Sequence, residues 1–366
     1  MRFIDLFAGI GGFRLGLEQA GHKCVWTNEW LEKPASIYEK QFGDKPDKRD
    51  IREITANSLP EADLIVGGFP CATFSLAGKR SGFSLEDTRG TLCFEMFRLA
   101  KDKGIPYILF ENVKGLLNHD NGKTFQVILS ALDEMGYDAE WELLDSQNFG
   151  IPQHRERIFL IASLRGKPRS KVFPITEPSR ENDEKNRGKQ KTREGLFSNI
   201  SPTLDAHYYK GGASRPYVVT QWRRGYFRDY KGEGIPTLTA NMGTGGHNVP
   251  MIKIRDATKK GYTIAEDGDY IDLSFIDSNT RRGRVQKQRS GTIMAHGQNA
   301  GVYKDGQIRK LTPLECERLQ GLPDNFTKYY ADGKLVSDSE RWERCGRTVS
   351  IPVIKAIGEK LNEIPL

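Results

Sequence analysis

Phe3-Ile4-Asp5-Leu6-Phe7-Ala8-Gly9-Ile10-Gly11-Gly12 is the stretch that decides the fold. Phe3 to Phe7 is an apolar run short enough for one buried strand, and the glycines after it let the main chain approach a ligand at the start of the next helix. Phe13 to Ala20 has helical spacing, and Lys23 to Asn28 reads as a second strand. Together they make a strand–helix–strand unit, whose strands lie parallel with a right-handed crossover.

Working outward, the alternation continues to residue 165. Pro34 to Phe42 is helical, and Leu64 to Gly67, Tyr107 to Glu111, Ala139 to Leu144 and Arg157 to Ser163 supply strands. Helices at Leu92 to Lys103 and Thr124 to Met135 lie between them. The fold class is therefore α/β: a wound, mostly parallel sheet with helices on both faces. From 166 to 305 the helical period disappears and short Gly-rich segments suggest a smaller, irregular β-rich domain. Ser201-Pro202-Thr203-Leu204, Ile235-Pro236-Thr237-Leu238 and Ser290-Gly291-Thr292-Ile293 are weakly alike but have no fixed period, so they establish no repeat. Helix returns at Pro313 to Gly321 and Ile351 to Leu361. The expected division is a catalytic and cofactor-binding domain at 1–165, a recognition domain at 166–325, and a segment at 326–366 that rejoins the first.

A chain of 366 residues with 37% hydrophobic residues can bury a large core, and no apolar stretch is long enough to span a membrane. The first residues read as a core strand and not as an export signal. Five cysteines without paired metal-type spacing argue against a disulfide framework and a zinc site, so no metal is expected. A cytoplasmic, nucleoid-associated monomer fits these features. Charge is uneven: residues 166 to 305 hold 25 Lys and Arg against 15 Asp and Glu, a net of +10, so with +7 overall the remainder carries −3. Arg223, Arg224, Arg281, Arg282 and Arg284 stand there near Trp222, Tyr226, Phe227 and Tyr230. A charge run is ordinarily a solvated face, but interleaved aromatics favour a polyanion, and nucleic acid is the expected partner, which the family resemblance given below narrows to double-stranded DNA.

Pro70-Cys71 ends the apolar run Leu64 to Phe69, placing a thiol at the carboxyl edge of a buried strand. The strand Tyr107 to Phe110 delivers Glu111 to the same edge, followed by Asn112 and Val113. A nucleophile and an acid thus meet. The glycine loop departs from the dinucleotide pattern because Arg14 holds the third glycine position. Glu29, ending the second strand, is placed to accept from ribose hydroxyls, and Asp50 from an adenine amino group. Each alone reads equally as a turn or a cap. In this order they suit a nucleoside cofactor without pyrophosphate, such as S-adenosyl-L-methionine.

With these motifs the chain resembles the DNA (cytosine-5)-methyltransferases. The match runs from Asp5-Leu6-Phe7-Ala8-Gly9-Ile10-Gly11-Gly12 through Pro70-Cys71 with Phe74-Ser75, Glu111-Asn112-Val113 and Gln153-His154-Arg155-Glu156-Arg157. After a variable basic region it resumes at Arg309 to Cys316 with Gln320-Gly321, and ends with Gly346 to Val353. The resemblance implies the S-adenosylmethionine-dependent methyltransferase fold and a reaction at C5 of cytosine. Cys71 would add at C6, since C5 alone is a poor nucleophile, and a partly desolvated Glu111 would share a proton with N3. It also implies Arg155 as donor to the cytosine O2, with Arg157 in support, and a base flipped out of the duplex. Ser75 to Arg89, with Ser75, Lys79, Arg80 and Arg89 facing DNA, resembles the loop that closes over it. Phe7, Gly9, Gly11, Glu29, Asp50, Ile51, Pro70, Leu92, Arg347 and Val349 are implied around the cofactor, although Phe7 and Leu92 serve equally as core. The other cysteines read as small buried hydrophobes, and His154 is given no chemistry.

Three departures stand out. Phe69 and Ala72 flank the nucleophile where a second proline and a glutamine are common, and Arg347 stands where the family has asparagine. A cation about 5 Å from a sulfonium at an effective dielectric near 20 costs about 3 kcal/mol if unscreened. Arg347 thereby suggests an alternative cofactor bearing an anionic group, carboxy-S-adenosyl-L-methionine, with 5-carboxymethylcytosine as product. Two other classes use the same residues: an RNA cytosine-5 methyltransferase, and a DNA-binding protein without activity.

Overall fold

The computed structural model describes residues 1–69, 92–168, 171–175, 217–223, 226–230, 250–274, 280–294, 300–304 and 307–365. Among them β1 (Arg2–Leu6), β2 (Lys23–Asn28), β3 (Leu64–Gly67), β4 (Tyr107–Val113), β5 (Tyr137–Asp145) and β6 (Glu156–Leu164) form one sheet, ordered β2-β1-β3-β4-β6-β5. The first four strands run parallel, and β6 runs antiparallel to both neighbours. The sheet is wound as expected through β4. It departs at β6 because the connection 146–155 is too short for a crossover helix, so the chain turns straight back.

Side-chain alternation along the strands splits the core between two faces. Ile4, Leu6, Ile65, Ile108, Phe110 and Leu160 pack under α3 (Leu92–Lys103) and α4 (Lys123–Glu134). Phe3, Leu64, Val66, Leu109 and Ile161 pack under α1 (Gly12–Gln19) and α7 (Ile351–Leu361), with α2 (Glu32–Phe42) following β2. Helix α1 carries Gly16 because α7 lies directly on it: a Cβ there would stand 2.6 Å from Ile354 Cβ.

The basic region contributes two further antiparallel sheets. One is β10-β9-β7-β8, from β7 (Tyr217–Arg223), β8 (Tyr226–Tyr230), β9 (Pro250–Arg255) and β10 (Tyr262–Ala265). The other is β12-β11-β13-β14, from β11 (Tyr270–Asp272), β12 (Val285–Gln286), β13 (Ala300–Lys304) and β14 (Gln307–Lys310). Helix α5 (Pro313–Arg318) starts with a capping box between Thr312 and Glu315. Tyr270, Val302, Leu311 and Leu319 share a core with Ile10, Ile37 and Ile351, so the second sheet is anchored to the first domain through α5.

One helix is unannounced by hydrophobic period: α6 (Asp338–Arg347). Its buried face includes Glu340, Arg341 and Arg344, which the interior accepts because each has a partner. Glu317 takes Arg341 at 2.9 Å, while Glu340 takes Lys33 at 2.9 Å and Tyr330 at 2.7 Å.

Candidate active site

The glycine loop forms one side of the site. Phe7, Gly9 and Gly11 have φ of 53°, 59° and 88°, and only the glycines adopt such angles without cost. At Gly11 a Cβ would also strike the Phe42 ring at 2.3 Å, whereas at Gly9 nothing lies within 4 Å and the main chain faces open space. Glu29, 6% exposed, locks this loop to β2: one oxygen accepts from Gly9 N–H and the other from Leu31 N–H, both at 2.8 Å. Burial pushes its carboxyl above the usual range, opposed by those two bonds and by the charges of Arg344 and Arg347. Each oxygen keeps a second lone pair for a ligand hydroxyl. Trp30, directly after it, is 61% exposed beside the loop. Sequence reasoning missed this residue, although an aromatic after the acid that ends β2 was a readable signal.

The other side of the site is built at the ends of β3, β4 and β6. Glu111 and Arg157 lie on neighbouring strands, with Arg157 Nε 3.0 Å from Glu111 Oε1 and both side chains largely buried. Asn112, 2% exposed, turns inward: its Nδ2 donates to Phe69 O at 3.1 Å and its Oδ1 accepts from Val113 N–H at 2.9 Å. The chain entering Pro70-Cys71 is thereby tied to the strand carrying the acid. Gly68 stands between the two sides, where a Cβ would lie 3.4 Å from Glu111 Oε2 and 3.8 Å from Phe13.

Arg155 sits apart from that pair. It is 3% exposed, its Nη2 donates to Thr348 O at 2.8 Å, and Nη1 and Nη2 both reach Gly346 O at 3.3 Å. Burial, then the charge of Arg157, draws its guanidinium down to about 9, with Glu111 opposing. Gln153, fully buried, donates to Leu319 O at 2.6 Å and accepts from Ile293 N–H, joining the entry of β6 to the recognition region. His154 pairs with Asp145 and is 44% exposed.

Of the remaining expected residues, Asp50 caps its own turn and is paired with Arg52, whose hydrogen bond holds it below the usual carboxylate range. Ile51 is buried in the core below it, and Phe7 and Leu92 pack against that core from its edge. Val349 is buried against Gly12. Arg347, ending α6, is 54% exposed and paired with Glu343 at 2.9 Å, while its charge still reaches Glu29. Arg281 is engaged by Asp272, Arg282 is exposed, and Arg223 ends β7 opposite Tyr226. Pro70, Cys71, Ser75, Lys79, Arg80, Arg89 and Arg224 lie outside the described residues. No group of metal-ligating side chains occurs among the described residues, and no described helix is long and apolar enough to cross a membrane.

Residues 1–363 match the family model described as C-5 cytosine-specific DNA methylase. The type II methyltransferase M.BsuFI of Bacillus subtilis is 49% identical, covering 99% of this chain and 73% of its own. M.Bsp6I of Bacillus sp. (strain RFL6) is 33% identical over 99% of this chain and 98% of its own. Among solved structures, the S. pombe Dnmt2 methyltransferase superposes with a TM-score of 0.59 at 16% identity, covering 99% of this chain and 98% of that one, a likeness of fold.

Proposed function

Since this chain belongs to the C-5 cytosine-specific DNA methylase family, we propose that it acts in a restriction-modification setting, with Cys71 as nucleophile toward a cytosine flipped out of duplex DNA. The observation that carries this reading is the Arg157–Glu111 pair beside Gly68, one strand from the approach to Cys71. The thiolate of Cys71 forms a bond to C6 as the C5–C6 π pair moves to C5. Glu111 holds a proton against N3, which spares the ring a full negative charge. In this reading Arg157, beside Glu111, donates to the pyrimidine O2 in place of Arg155: main-chain carbonyls take both terminal nitrogens of Arg155 but, among the described residues, only Nη1 of Arg157, at Glu156 O. After transfer, the C5 proton is lost to solvent, the C5–C6 double bond re-forms, and Cys71 leaves.

S-adenosyl-L-methionine, the cofactor of the family, supplies an electrophilic methyl group when bound. The residues present fit it: the open main chain at Gly9, the carboxylate of Glu29 with spare lone pairs, and the exposed ring of Trp30 for a base to stack on. The alternative of carboxy-S-adenosyl-L-methionine loses support from Arg347, whose guanidinium is turned to Glu343. The recognition role falls to residues 166–325, with the exposed Arg282 as a contact for DNA.

The test is covalent trapping on duplex DNA containing 5-fluorocytosine, followed by mass spectrometry of nucleosides from ordinary DNA. A complex that disappears in Cys71→Ser, together with 5-methylcytosine in the product, is expected. Absence of any complex, or trapping on tRNA alone, would overturn the reading.

A further inference from the structure

The chemistry proposed above employs Arg157 and leaves Arg155 without a task. Yet Arg155 is among the most deeply buried charges in the protein, and no described carboxylate pairs with it. Its partners are Gly346 O and Thr348 O. These carbonyls end α6, where the last turn has no intrahelical donors and carries negative partial charge. A guanidinium suits that position because one planar group supplies several donors to adjacent carbonyls. The main-chain N–H of Arg155 is fixed in turn by Asp145 at 3.0 Å.

What this cap positions lies on its far side. Thr348 and Val349 rest directly on the glycine loop: a Cβ at Gly12 would stand 2.4 Å from Thr348 Oγ1 and 2.9 Å from Val349 Cγ2. Arg155 therefore holds the end of α6, and the end of α6 holds the start of α1. Toward the base-side pair it has no hydrogen bond among the described residues, and feels Arg157 and Glu111 only through their charges.

We infer that Arg155 is a positioning residue for the cofactor side of the site: it straps residues 346–348 over the glycine loop and makes no contact with the base. This rests on the reading of that loop as the S-adenosylmethionine site. Two measurements separate the sides of the site: calorimetric binding of S-adenosylhomocysteine, and cofactor-free exchange of tritium from cytosine C5, which needs only Cys71, Glu111 and the base contacts. Arg155→Met should bind S-adenosylhomocysteine about 10- to 100-fold more weakly, the range for losing a charge-assisted set of bonds. It should keep C5 exchange within about 3-fold of the unaltered protein. Arg155→Lys, which retains a cationic donor, should recover most of the binding. Arg157→Met should show the reverse pattern, with exchange lost and binding kept. Should Arg155→Met not fold, Arg155→Lys still decides, because a deficit confined to exchange would overturn the inference. So would Arg155→Met with unaltered binding, or with exchange as low as in Arg157→Met. Failure of the unaltered protein to exchange tritium at all would instead sink the functional reading.

Discussion

Replacing Asn112 by leucine tests whether the approach to the nucleophile is set by β4. The side chain is 2% exposed, and it satisfies Phe69 O and Val113 N–H at 3.1 Å and 2.9 Å. Leucine keeps the volume but takes from the Phe69 carbonyl and the Val113 N–H the partner that Asn112 supplies. Each such group costs about 1–3 kcal/mol, and better burial of the leucine returns part of it, for a net loss of about 2–4 kcal/mol. Urea denaturation reads that number directly. The larger effect falls on chemistry, since Phe69 is two residues from Cys71 and a misplacement of about 1 Å costs about 100-fold. C5 tritium exchange, measured per folded molecule well below the unfolding midpoint, should fall by roughly that factor. Asn112→Asp keeps the acceptor for Val113 but turns a carboxylate oxygen toward the Phe69 carbonyl, so it should be no better. Exchange at the unaltered rate in folded Asn112→Leu would refute the reasoning and show that Cys71 is positioned from elsewhere.

Glu111→Gln removes the group that shares a proton with N3, so C5 exchange should fall about 10²- to 10⁴-fold while S-adenosylhomocysteine binding holds; exchange within tenfold of the original would contradict this. Arg347→Asn should change the KM for S-adenosylmethionine by less than about 3-fold, because an exposed, Glu343-paired arginine contributes little. A drop of more than tenfold would instead place its charge at the sulfonium. Asp5 is fully buried; burial raises its carboxyl well above the usual range, with the charge and the main-chain N–H of Arg14 opposing. The folded state therefore binds the proton more tightly than the unfolded chain, and the contribution is complete below the unfolded pKa and lost as pH rises through the folded one. Denaturant melts across that range should show stability falling with pH, and Asp5→Asn should flatten the slope; an identical slope in both proteins would exclude Asp5 as its source.

The part of the fold that was legible is the part whose burial leaves a mark on residue type. Strands β1, β3 and β4 are covered on both faces and so read as largely apolar runs, and the glycines after β1 mark a backbone that they adopt without cost. Strand β6 is equally apolar, but an apolar run carries no direction, and only the short link from β5 makes it antiparallel. Helix α6 was invisible for a different reason. Its buried face is built from Glu340 and Arg341, whose partners Lys33, Tyr330 and Glu317 come from other elements, and from Arg344, which pairs with Glu340 inside the helix. Spacing likewise could not assign Arg155 and Arg157. They lie two residues apart, and what separates them is that one meets the end of a helix and the other a carboxylate.

The same geometry bears on Gly68, the residue that follows β3. Arg157 holds Glu111 Oε1, which fixes the carboxyl plane and leaves Oε2 on the side of Gly68. A methyl at position 68 would sit 3.4 Å from that oxygen, at ordinary contact distance, and fill the space through which a ring nitrogen must approach. Gly68 thus keeps the acid open toward the base while Gly9 keeps the main chain open toward the cofactor. Arg155 and Asn112 bind the surrounding chain on either side, so the two openings hold their separation without a side chain between them.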